Sequence, residues 1–87
     1  MARRPQPHVL YVTPDRRSGP WVRGGIWQDM ATAERQAGLY RITPGAGWIA
    51  LPFQAGEPWP DQFATAADLD AFSLRMARQR RGEQVPA

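Results

Sequence analysis

β-branched and aromatic residues crowd into Val9-Leu10-Tyr11-Val12-Thr13, which predicts a strand. Pro14-Asp15 and Ser18-Gly19-Pro20 punctuate a loop with Arg16 and Arg17 at its tip. Trp21-Val22-Arg23 then reads as a short return strand halted by Gly24-Gly25, making a first hairpin. Asp29 is placed to cap a helix whose Met30, Ala33 and Ala37 share one face, and Gly38 is placed to end it. Leu39–Thr43 and Trp48–Phe53, joined by Pro44-Gly45-Ala46-Gly47, predict a second hairpin. In its first strand Tyr40 and Ile42 share one face, while Leu39, Arg41 and Thr43 take the other. The second strand is apolar on both faces, the pattern of a strand central in a sheet.

Gly56, Pro58 and Pro60 make Gln54–Asp61 a loop or a poor edge strand, and Phe63 closes a short final strand. Thr65-Ala66-Ala67-Asp68 has the form of a capping box. Beyond it Leu69, Phe72 and Met76 recur at helical spacing, so a helix should run to about Arg81 and stop at Gly82. The expected fold is therefore α+β. It has a small, mostly antiparallel sheet of four to five strands, a short helix at about 29–37 and a longer C-terminal helix at about 66–81. Residues 8–81 form one domain, with a disordered basic arm at 1–7 and a disordered tail at 82–87.

A chain of 87 residues buries only about 60–65% of the surface its unfolded form exposes, so the stability margin is thin. No cysteine is present, which excludes disulfides and thiolate metal sites. His8 is the single histidine and its nearest carboxylate is Asp15, so neither metal nor cofactor is expected. Four tryptophans, Trp21, Trp27, Trp48 and Trp59, supply large apolar areas, each with one N–H that needs an acceptor. No apolar run approaches the length of a membrane span or a signal-peptide core, and the expected location is cytoplasmic.

Every basic side chain is arginine, and the eleven are unevenly spread. Residues 1–23 carry net +4, residues 24–74 net −4 and residues 75–87 net +3. Basic ends around an acidic middle suit arms that reach an anionic partner, and they equally suit solvated termini. Catalytic groupings are absent. Ser18 and Ser73 have no base arranged near them in sequence. Asp68 and Asp70, two apart on a helix, do not face each other. The chain reads as a non-enzyme.

Gly47-Trp48-x-Ala50 in a strand, followed by Phe63-Ala-Thr65-Ala-x-x-Leu69-x-x-Phe72 opening a helix, resembles the arm-type DNA-binding domains of phage tyrosine recombinases. It also resembles the related plant ethylene-response-type domains. The resemblance covers residues 40–81. It implies a three-stranded sheet lying in the major groove, with a helix packed behind it and Trp48, Leu69 and Phe72 as scaffold. Those families carry arginine and lysine on the reading strands, whereas Trp48–Phe53 has none and Arg41 is the only basic residue nearby.

Two functional readings follow. The favoured one is a protein-binding accessory or inhibitor module of phage or mobile-element type, contacting its partner through Trp59, Arg16, Arg17 and Arg23. Trp59 stands between Pro58 and Pro60, where rigid flanks would present an aromatic anchor at low entropic cost. The alternative is a nucleic-acid-binding domain that uses a three-stranded sheet, with Arg3, Arg4, Arg41, Arg75, Arg78 and Arg81 on phosphates.

Overall fold

The computed structural model describes residues 6–82. Its sheet is built around β1 (His8–Thr13), where the β-branched and aromatic run favours extended backbone. On one side β1 pairs with β2 (Trp21–Trp27), and on the other with β3 (Gly47–Pro52). A two-residue strand β4 (Gln62–Phe63) closes the far edge of β2. The order is β3-β1-β2-β4, with every pair antiparallel.

Alternation divides the side chains between two faces. Val9 and Tyr11 lie opposite Leu51 and Ile49, and all four point toward the C-terminal helix α2 (Ala66–Arg80). The core there joins Val9, Tyr11, Trp21, Leu51 and Phe63 to Leu69, Phe72 and Met76 of α2. The start of α2 is fixed by the Thr65 hydroxyl, which accepts from Asp68 N at 3.2 Å. Leu10 points to the opposite face, over which helix α1 (Met30–Ala37) lies across the strands. The Asp29 carboxylate caps α1 by accepting from Thr32 N at 2.7 Å. The buried face of α1 is Ala33 and Ala37, small side chains that let the helix lie close to the sheet.

Three local expectations are corrected. Leu39–Thr43 is not a strand, because Gly38–Arg41 forms a 3-10 turn directly after α1. The expected second hairpin is therefore absent, and β3 takes β1 as its partner over a long sequence separation. Nor is β3 central. It is an edge strand, and it is apolar on both faces because the core lies on one side of it and α1 on the other. Finally, Gly24-Gly25 does not halt β2, which continues to Trp27 through an irregularity in its register with β1. A Cβ on Gly24 would come within 3.2 Å of the Leu10 side chain, so glycine here admits a close approach of neighbouring strands.

Gln6 and Pro7 continue the ladder beyond β1. Pro7 O accepts from Phe53 N at 2.8 Å, and Gln6 Nε2 reaches Phe53 O at 3.3 Å. The remainder of the expected basic arm and tail, with Arg3 and Arg4, lies outside the described residues. Among the described residues no helix is long and apolar enough to cross a membrane.

Candidate functional site

Trp59 is folded onto the core. Its ring stacks on Phe53 at 6.0 Å and meets Phe72 edge-on at 5.1 Å, and its indole N–H donates to Gln54 O at 3.1 Å. The loop that carries it is tied down at several points. Arg23 donates to Trp59 O and to the Asp61 carboxylate, each at 2.6 Å. The Tyr11 hydroxyl donates to Pro60 O at 2.8 Å, and Gln54 Nε2 donates to Met76 O at 2.8 Å. Two candidates for partner contact, Trp59 and Arg23, thus hold one another in place as a cover over the sheet.

This arrangement makes Tyr11 sensitive to alkali. Burial pushes its phenol up to about 12, with the Arg23 charge opposing and the Asp61 charge adding a smaller push. A raised folded-state pKa means that stability is intact below the ordinary value of 10.0 and is lost as pH rises through about 12. Tyr11→Phe should flatten that loss while weakening the neutral-pH fold by about 1 kcal/mol, the worth of one hydrogen bond. Urea unfolding against pH, read beside tyrosinate absorbance, checks both effects.

Arg16 and Arg17 sit on the β1–β2 loop, as expected, and there they differ. Arg16 turns back on the fold, its Nε donating to Ala46 O at 2.6 Å and its backbone N to Gly45 O at 2.9 Å. The Arg17 guanidinium makes no hydrogen bond or ion pair among the described residues. Asp15 shapes the turn by accepting from Arg17 N and the Ser18 hydroxyl at 2.8 and 2.9 Å. Those bonds hold its carboxyl below the usual range. Pro14, Asp15, the two arginines, Pro44 and Gly45 line an open cleft of about 610 Å³.

Pro14 also borders a second, apolar groove of about 250 Å³ with Leu39, Tyr40, Thr43 and Ala46. This groove involves residues that the hairpin reading places in a strand. Leu39 is 73% exposed and Ile42 75%, with Tyr40 exposed beside them. The turn that holds them is internally bonded, Ile42 N and Thr43 N both donating to Leu39 O at 3.2 and 2.9 Å. Their sequence signal is Leu39-Tyr40-x-Ile42 between Gly38 and Pro44, and its alternation is equally that of a strand.

The remaining arginines are dispersed. Arg41 pairs with Glu34 at 3.4 Å, and Arg75 lies over the Phe72 ring at 5.3 Å. Arg78 is exposed on α2, and Arg81 follows that helix as its C-cap. Because β3 and β4 occupy opposite edges, residues 40–63 do not form three neighbouring strands. No family model, curated protein or solved structure matches the chain.

Proposed function

We propose that the protein is a small non-catalytic module that binds another protein, an accessory or inhibitor of the kind phages and mobile elements carry. The exposure of Leu39 and Ile42 carries this reading. Two aliphatic side chains held clear of the fold on a short bonded turn, next to an apolar groove, have the form of an interface core awaiting a partner. Arg17, across Pro14 from that groove and with no ion pair at its guanidinium among the described residues, adds a charge requirement. The partner segment would present an apolar side chain to the groove and a carboxylate to the arginine loop. The expected anchor moves accordingly, from Trp59 to the Leu39–Ile42 turn.

The test is capture from nuclease-treated lysate at physiological salt, comparing wild type with Leu39→Ser/Ile42→Ser. Capture should weaken by at least about tenfold, in the range of a hot-spot loss. The melting temperature should hold, because neither side chain is packed. Undiminished capture by the double variant would refute the assignment. Salt-sensitive binding to random duplex would favour the nucleic-acid alternative instead, since phosphate contacts are independent of sequence. In that case removing residues 1–7 should flatten the salt slope by roughly 0.9 log unit for each phosphate no longer neutralised.

A further inference from the structure

Strand β3 leaves one row of backbone groups unpaired, and the register identifies which ones. In an antiparallel pair, residues alternate between those that exchange hydrogen bonds with the partner and those that point away from it. Phe53 N donates to Pro7 O, in the same register as Val9 opposite Leu51 and Tyr11 opposite Ile49. Leu51, Ile49 and Gly47 therefore direct their N–H and C=O toward β1. The intervening Ala46, Trp48, Ala50 and Pro52 direct theirs toward the open edge.

That edge is blunted at both ends. Ala46 N already donates to Thr43 O, and Ala46 O already accepts from Arg16 Nε. Pro52 has no N–H to offer. Trp48 and Ala50 remain, and no hydrogen bond among the described residues reaches their outward N–H and C=O groups. The strand Gly47–Pro52 contains no charged residue, so it lacks the usual device that keeps an edge from pairing.

We infer that the occupant of this edge is a second copy of the same chain, joined through an antiparallel β3–β3 pair about a two-fold axis at Ile49. In that register Trp48 of each copy exchanges both hydrogen bonds with Ala50 of the other, and the outward N–H and C=O groups of both residues are satisfied. Pro52 falls opposite Ala46 of the copy, where neither residue has a free N–H. The blunted ends therefore match each other, as a self-complementary interface requires. On one face, large Trp48 lies beside small Ala50. On the other, the two Ile49 side chains meet at a non-hydrogen-bonded pair, where Cα atoms approach to about 4.5 Å. Ile49 is only partly buried against the core in the single chain, and the pairing covers it. The product is a continuous eight-stranded sheet with both copies of α2 on one face.

Sedimentation and amide hydrogen exchange on the full chain, over a wide concentration range, test the inference. The Trp48 and Ala50 amides should become protected as dimer accumulates, whereas the Ile49 and Leu51 amides should be protected throughout. Ala50→Pro removes only an outward N–H, so it should abolish the dimer while the circular dichroism of the fold persists. Should that variant fail to fold, the wild-type exchange data still decide. A chain that stays monomeric at every concentration overturns the inference, as does a dimer in which the Trp48 and Ala50 amides stay unprotected.

Discussion

Phe72→Ala is expected to lower the unfolding free energy by about 3–5 kcal/mol, the usual cost of emptying a packed phenylalanine site. Phe72 is a hub. Its ring lies 5.1 Å from Trp59 and 5.2 Å from Phe63, and Phe63 in turn lies 5.0 Å from Tyr11. The four rings run from the covering loop through α2 to the middle of the sheet. Alanine at 72 would leave a hole bordered by three elements that cannot all move inward together. The guanidinium of Arg75 would also lose the ring it covers. In a domain this small, a loss of that size approaches the whole stability margin. Leu74 provides the internal comparison, because it lies on the same helix but is 52% exposed. Leu74→Ala should therefore leave the urea midpoint almost unchanged. Similar midpoints for the two variants would mean that the core does not lie where the structure places it.

The elements legible in the sequence are those whose signals are local. α2 is announced by Thr65 at its cap and by Leu69, Phe72 and Met76 on one stripe, and the structure buries those three residues. α1 is announced by Asp29 and Gly38, which cap it as expected. What fails depends on pairing between distant segments. Leu39–Thr43 alternates well enough for a strand, yet β3 gains more by lying along β1, where Leu51 and Ile49 reach the common core. The backbone released from that pairing turns instead, and its apolar side chains are left outside. The strand β3 reads as central because both of its faces are apolar. One helix on each side of a sheet produces that pattern even at an edge, so periodicity alone does not decide.

The candidate site shows the same division. Proline and glycine punctuation correctly places Arg16 and Arg17 on a loop. The separation of their roles depends on Ala46, which is 30 residues away from Arg16. Arg23 looks in sequence like a free cation on a short strand. Its partners, Trp59 O and Asp61, come from a loop whose path follows from the burial of Trp59. A charge in sequence identifies a possible contact, and only the fold shows whether the contact is already made.

Trp59→Ala distinguishes a structural residue from an anchor, and the structure sets the direction of the result. The indole touches Phe53 and Phe72, donates to Gln54 O, and lies within a loop held by Arg23 and Tyr11. Truncation should cost about 3 kcal/mol, at the low end for a tryptophan because the ring is half-buried. It should also loosen the loop, exposing the amides that follow Gln54 to faster exchange. Partner capture, scored on the fraction that remains folded, should stay near wild type, because the proposed contact lies at Leu39, Tyr40 and Ile42. Arg23→Met should reproduce part of the destabilisation without altering the ring, since it removes the donors to Trp59 O and Asp61 while preserving an apolar stem. The contrary result would be an abolished capture in Trp59→Ala at an unchanged melting temperature. That outcome would return the binding anchor to the proline-flanked loop and leave the Leu39–Ile42 turn without its role.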